Sequence, residues 1–287
     1  MRVLVTGAGG FIGQHLLARL QADGVEVHGI GRRSMVSTPA TWHALDLFDD
    51  DARRTLLQRL RPSHLIHLAW TTAHGRYWQD PANQAWVAMS LALLRDFADA
   101  GGRHAVYAGS CAEDDWSGSG APPASRYGRC KAALRLLACD LAEQLELSLA
   151  WGRIYFPFGP GEQGERLVPS IARRLLDGQP APTGPAGLER DFVYVEDLAA
   201  MLALLSRCEH AGSLDLCSGE PTRIGDLAGA LADLLGRREL LRLGELPGRP
   251  GDPQRLLGDA AGLRALGWDG GLGLAEGLRR SVRALQS

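Results

Sequence analysis

Gly7, Gly10 and Gly13 recur every third residue, directly after the apolar run Val3-Leu4-Val5-Thr6. Directly after them, Phe11, Ile12, Leu16, Leu17 and Leu20 recur at helical spacing. A strand, a glycine turn and a helix in that order leave few folds open. The first glycine permits a turn that a side chain would block. The second lets backbone approach a pyrophosphate, and the third lets helix and strand pack closely. Main-chain N–H groups and the helix dipole then face the phosphate charge. Gly7, Gly10, Phe11, Ile12 and Gly13 thus form an expected dinucleotide cradle.

The pattern continues as βαβ units. Strands are expected at 25–30, 64–68, 104–109 and 147–153, alternating with helices at about 49–60, 80–100 and 127–145. Such alternation implies an α/β fold, a Rossmann-type doubly wound parallel sheet with right-handed crossovers. After residue 153 the regularity stops at Phe156-Pro157-Phe158-Gly159-Pro160-Gly161. A helix near 165–177, a Pro/Gly stretch at 178–188, strands near 190–195 and 213–217, and helices near 224–236 and 272–285 follow. The expected domains are 1–155, dinucleotide-binding, and 156–287, a smaller C-terminal α/β substrate lobe with segments returning to the main sheet. Pro247 to Pro253 is expected to be a rigid loop.

The 287 residues carry a formal net charge of -2, which offers no basic footprint for nucleic acid. The five cysteines lack CxxC spacing and are odd in number, as in a reduced intracellular protein, and no metal site is expected. No apolar run approaches the ~20 residues that span a bilayer. The first strand begins at residue 2, leaving no room for a signal peptide. A cytoplasmic location follows as an expectation.

The end of the second strand discriminates between cofactors. NAD calls for a carboxylate there, facing the ribose 2′-hydroxyl. The chain has Gly29-Ile30-Gly31-Arg32-Arg33 instead. Two arginines suit a 2′-phosphate, so NADP(H) is expected over NAD(H). Asp46 and Leu47 are placed to meet the adenine, and Leu68, Ala69 and Trp70 to lie beside the nicotinamide ribose.

Tyr127 and Lys131 are four apart on an expected helix and share its face. A nearby ammonium lowers a phenol's pKa and can also bond the nicotinamide ribose. Ser110, 17 positions before Tyr127, ends a strand and can donate to a carbonyl oxygen. The three are the candidate catalytic residues of a carbonyl reduction, with Tyr127 giving the proton.

As a set these residues resemble the extended short-chain dehydrogenase/reductases of the nucleotide-sugar epimerase/dehydratase family. The likeness rests on Thr6 through Gly13, His67-Leu68-Ala69, Ser110, Tyr127 with Lys131, and Arg153 through Pro160. It continues with Arg190-Asp191-Phe192, Val195, Asp197 and Arg249-Pro250-Gly251-Asp252, so it spans nearly the whole chain. It implies a Ser/Tyr/Lys active site and a nucleotide-sugar held between two lobes, with Cys111, Arg190 and Arg249 as substrate contacts. It also implies a homodimer built on two helices per subunit, here 80–100 and 127–145, with Ala88, Leu91, Leu94 and Ala98 as an apolar stripe. Trp70, His74, Tyr77, Trp78 and Trp116 are candidate sugar contacts.

The departures are informative. Sugar 4,6-dehydratases of the family carry Asp-Glu after the catalytic hydroxyl, whereas Ser110 precedes Cys111 and Ala112, and Glu113 comes one position late. Dehydration then lacks its acid and base. Phe156 replaces an asparagine that touches the sugar phosphate in the family. The arginine pair and short second lobe point to an NADPH-dependent reductase of an NDP-4-keto-6-deoxyhexose. A 4-epimerase with tightly held NAD, a reductase of a non-nucleotide carbonyl, and a non-catalytic NADP(H) sensor remain the alternatives.

Overall fold

β1 (Arg2–Thr6) leads through the glycine turn into α1 (Phe11–Ala22), as the spacing predicts. The computed structural model describes the chain except Val36, Ser37, Pro39, His74, residues 117–119, Glu209, Pro250 and Ser287. Next come β2 (Glu26–Gly31), β3 (Thr41–Ala44), α2 (Asp50–Leu60), β4 (His64–His67), α3 (Ala82–Asp99), β5 (His104–Ser110), α4 (Arg126–Gln144) and β6 (Ser148–Ile154). They are followed by β7 (Phe156–Phe158), α5 (Leu167–Leu176), β8 (Ala181–Pro182), β9 (Glu189–Tyr194), α6 (Val195–Arg207) and β10 (Gly212–Leu216). The chain ends with β11 (Pro221–Arg223), α7 (Ile224–Leu235), β12 (Leu241–Arg242), β13 (Arg255–Leu256), α8 (Ala261–Ala265) and α9 (Leu274–Gln286).

Seven strands form one sheet in the order β10-β6-β5-β4-β1-β2-β3. From β3 to β6 every pair is parallel. Val3, Leu4, Val5, Leu65, Ile66, Ala105, Val106 and Tyr107 are fully buried, as strands covered on both faces require. Strand order reverses at β1 and β4, and the carboxyl ends there form the switch point at which such sheets bind ligands. Among the described residues, no helix is long and apolar enough to cross a membrane.

The chain divides into two compact units. One comprises Met1–Asp115, Pro122–Ile154 and Ala199–Leu214; the other comprises Trp116–Ala121, Tyr155–Leu198 and Asp215–Ser287. The later part of α6 and the start of β10 thus return to the first unit, while 116–121 belongs to the second. In the second unit β9 is central, pairing in parallel with β7 and β13 and antiparallel with β11. Asp191, fully buried on β9, accepts from Ser218 N and Oγ at 2.7 Å each and from Gly219 N at 3.0 Å.

α6 is absent from the sequence expectation. Leu198, Ala199, Ala200, Met201, Leu202, Ala203 and Leu205 are all buried, so the helix is apolar all round and shows no one-sided stripe. Another feature without a local signature is Arg53 on α2, which is fully buried. Its Nε donates to Asp96 Oδ2 of α3 at 2.8 Å and its Nη1 to the Leu47 carbonyl at 2.7 Å. Asp96→Ala leaves that guanidinium without its buried partner and is expected to cost about 3–5 kcal/mol in urea unfolding. A loss below about 1 kcal/mol would show that the pair does not hold α2 to α3.

Candidate active site

The glycine turn is held against the end of β4. Gly7 has φ +67°, and a Cβ there would lie 2.8 Å from Ala69 N. At Gly13 a Cβ would lie 2.3 Å from the Gly7 carbonyl oxygen. Gly10, the N-cap of α1, provides no side-chain cap, so the first-turn N–H groups around Phe11 and Ile12 are left for an anion. This cradle has the shape and donors a pyrophosphate needs. Beneath it, Thr6 Oγ1 accepts from Ala69 N at 3.3 Å and lies 2.7 Å from His67 Nδ1, while His67 Nε2 meets Ser90 Oγ at 2.8 Å. Burial, with the Lys131 charge adding to it, pushes the His67 pKa down to about 3, so this buried chain of hydrogen bonds is neutral.

At the end of β2, Arg32 and Arg33 are exposed. Asp46 is exposed too, and its Oδ1 accepts from Phe48 N at 3.1 Å, closing its own turn. The Leu47 side chain is buried in the core.

Three residues place Ser110. A Cβ on Gly109 would lie 2.2 Å from Trp151 Nε1, so the absent side chain admits the indole. A Cβ on Gly128 would lie 2.1 Å from the Ala112 carbonyl oxygen, so the 3-10 turn Cys111–Glu113 rests directly on the first turn of α4. Ser125 caps that helix by accepting from Gly128 N at 2.9 Å. With turn and helix pressed together, the Ser110 hydroxyl hydrogen-bonds the Tyr127 phenol.

Tyr127 stands among aromatic rings, edge-on to Tyr77 at 5.1 Å, Trp78 at 5.9 Å and Trp70 at 6.3 Å. The Trp78 carbonyl accepts from Tyr127 N at 3.1 Å. Asn83, fully buried, accepts from Trp70 Nε1 at 2.7 Å and donates to the Tyr77 carbonyl at 2.7 Å, tying these walls together. Burial raises the Tyr127 pKa, with the Ser110 hydrogen bond opposing and Tyr77, Cys111 and Glu113 adding to it, the reverse of the lowering expected from Lys131. The Lys131 Nζ donates to the Ala108 carbonyl at 2.7 Å and lies 3.9 Å over the Trp70 ring. Burial brings its pKa down to about 7, with Glu113 opposing.

The expected substrate contacts divide. Cys111 is buried at the start of the 3-10 turn. Arg190 is 3% exposed; its Nη1 donates to the Glu189 and Pro253 carbonyls at 2.7 and 3.0 Å, and its Nη2 lies 3.2 Å from Asp252 Oδ2. Its guanidinium also faces the Phe156 ring at 5.7 Å. Arg249 is exposed, and Pro250 of the same motif lies outside the described residues, as does His74. Tyr77 is buried as packing for Tyr127, and Trp116 falls in the second unit. Of the proposed dimer stripe, Leu94 is fully buried in the core, Leu91 and Ala98 are half-buried and Ala88 is exposed.

Comparison with known proteins gives a consistent picture. The model of the NAD dependent epimerase/dehydratase family matches residues 3–215. The chain is 30% identical to a dTDP-4-dehydro-6-deoxy-D-allose reductase of Streptomyces bikiniensis over 89% of this chain and 87% of that one. It is 28% identical to a GDP-6-deoxy-D-mannose reductase of Pseudomonas aeruginosa over 81% and 80%. A Thermus thermophilus UDP-glucose 4-epimerase in complex with NAD superposes with a TM-score of 0.87 at 28% identity, covering 100% of this chain and 99% of that one.

Glu113, one position late for a dehydratase acid, has other work in the structure. Its carboxylate accepts from Trp151 Nε1 at 3.0 Å and from Ser110 N at 3.4 Å, and lies 3.3 Å from Arg135 Nε. With Ser110 it forms a capping box, a spacing legible in the sequence as Ser-x-x-Glu. Burial raises its pKa from 4.5 to about 7, against the Trp151 hydrogen bond and the Arg135 charge. The folded chain therefore binds this proton more tightly than the unfolded chain. The stabilisation is complete below pH 4.5 and lost as pH rises through about 7. Unfolding free energies of wild type and Glu113→Gln, measured across that window, are expected to diverge by about 3 kcal/mol, wild type losing ground as pH rises. Parallel curves would show that Glu113 does not titrate there.

Proposed function

The chain belongs to the NAD-dependent epimerase/dehydratase family, and from that premise we propose that it is an NADPH-dependent reductase of a nucleotide-linked 4-keto-6-deoxyhexose. The observation that carries this is the Ser110–Tyr127 hydrogen bond in a unit whose β2 end holds Arg32 and Arg33 and no carboxylate. Two relatives named as nucleotide-linked deoxyhexose reductases support it.

The glycine cradle fits a dinucleotide. Gly7, Gly10, Phe11, Ile12 and Gly13 would hold its pyrophosphate, Arg32 and Arg33 its 2′-phosphate, and Asp46 and Leu47 its adenine. Leu68, Ala69, Trp70, Tyr127 and Lys131 would meet the nicotinamide ribose. Bound NADPH supplies the hydride that reaches the keto carbon. Tyr127, kept protonated by its burial, gives its proton to the keto oxygen. Ser110 donates a hydrogen bond to that oxygen as charge builds on it. Lys131 orients the ribose and supplies positive charge beside the phenol. Cys111 borders Ser110, and Arg249, exposed, is assigned to the diphosphate while Arg190 holds the Asp252 loop.

A cytoplasmic location and a homodimer belong to the same proposal. The five cysteines are free thiols, and α4 exposes Leu136 and Leu137 at 63% and 50%. The likeness to the NAD-bound Thermus epimerase favours a second possibility, a 4-epimerase that retains NAD.

The test mixes the protein with NADPH and dTDP-, GDP-, CDP- and UDP-4-keto-6-deoxyhexoses and follows nicotinamide absorbance. Stoichiometric NADPH loss with one of them is expected, and Tyr127→Phe is expected to cut turnover by about 10²–10⁴-fold or more while NADPH binding persists. Full turnover in Tyr127→Phe would refute the proton-donor role. No loss with any sugar, with NAD carried through purification and intact nucleotide-sugars interconverted without net redox, would instead support the epimerase.

A further inference from the structure

Trp42 on β3 lies across the end of β2, paired in register with Gly29. A Cβ on Gly31 would lie 2.4 Å from Trp42 Cζ2 and 2.9 Å from Cη2. One on Gly29 would lie 3.0 Å from Cε3, and one on Gly9 3.3 Å from Cη2. The indole thus runs from the middle of β2 to the glycine turn, through space that side chains at 29 and 31 would need. Its Nε1 donates to the Arg33 carbonyl at 2.8 Å.

This geometry bears on cofactor choice. An acid reading the ribose 2′-hydroxyl projects from the end of the second strand. In this chain that end is Gly31, and the Trp42 indole, held by its Nε1 hydrogen bond to the Arg33 carbonyl, opposes any side chain there. The same ring anchors the backbone of the segment that carries both exposed arginines.

We propose that Trp42 is a specificity-determining residue for the nicotinamide cofactor. It bars a carboxylate from position 31 and fixes the backbone from which Arg32 and Arg33 meet a 2′-phosphate. This rests on the NADPH assignment above. It goes further in making the choice a property of a residue on the neighbouring strand, so that changing the β2 end alone does not reverse it.

The experiment measures melting temperature and the dissociation constants of NADPH and NADH for wild type, Trp42→Val, Gly31→Ala, Gly31→Asp and the double variant Gly31→Asp/Trp42→Val. Gly31→Ala and Gly31→Asp are expected to melt below wild type, and Trp42→Val is expected to restore the Asp variant. Trp42→Val alone should weaken NADPH about tenfold and leave NADH unchanged, the scale of one anchoring hydrogen bond. The double variant should shift the NADH/NADPH preference toward NADH by at least about tenfold relative to wild type. The proposal fails if Gly31→Ala and Gly31→Asp melt with wild type, or if Gly31→Asp alone shifts preference as far as the double variant. A wild type without NADPH preference would refute the parent assignment only; the melting comparison would still decide whether Trp42 closes position 31.

Discussion

The approach of the glycine turn to the end of β4 constrains everything around it. With a Gly7 Cβ position only 2.8 Å from Ala69 N, no side chain fits between the first and fourth strands at their carboxyl ends. The contact is held from below, where Thr6 Oγ1 receives the Ala69 N–H and touches His67, and His67 reaches Ser90 on α3. A charged imidazole here would be buried without a counter-ion, and desolvation removes that possibility by keeping His67 neutral. The turn into α1 and the segment that leads from β4 to Trp70 meet at this one junction.

The reacting groups depend on a second close fit. Gly109 admits the Trp151 indole, Gly128 admits the Ala112 carbonyl, and the turn bearing Ser110 is fixed between them. Glu113 completes the arrangement from behind, at the cost of a carboxylate held in a desolvated place. Here the fold tolerates a destabilising group in order to define the position of a hydroxyl, the usual direction of conflict between stability and site geometry.

What was legible in the sequence was whatever is written in neighbouring residues. The strand–turn–helix of residues 2–22 and the alternation up to β6 each carry their own local period. α6 was not legible, because a helix apolar on every side has no stripe to count. Trp42 carries no local signal because its partners, Gly9, Gly29 and Gly31, are on other elements. The motif marks Arg190 as a contact for a diphosphate, yet the fold buries it against Asp252 and two carbonyls, which no spacing announces. Glu113 alone could have been found, since the capping-box spacing from Ser110 is local.

The electrostatics of the first unit set the resting protonation of the reacting groups. A sugar hydroxyl is oxidised by a group that takes its proton, which calls for phenolate; a ketone is reduced by a group that gives one, which calls for phenol. Burial among Trp70, Tyr77 and Trp78 raises the Tyr127 pKa and favours phenol. Lys131 would favour phenolate, yet desolvation draws its own pKa down to about 7, which weakens that influence at neutral pH. A phenol of ordinary pKa is already protonated at neutral pH, and a 4-epimerase and a reductase both pass through that form, so proton affinity does not separate them. The missing carboxylate at the end of β2, where Gly31 precedes Arg32 and Arg33, is the feature that supports the proposed NADPH-dependent reduction.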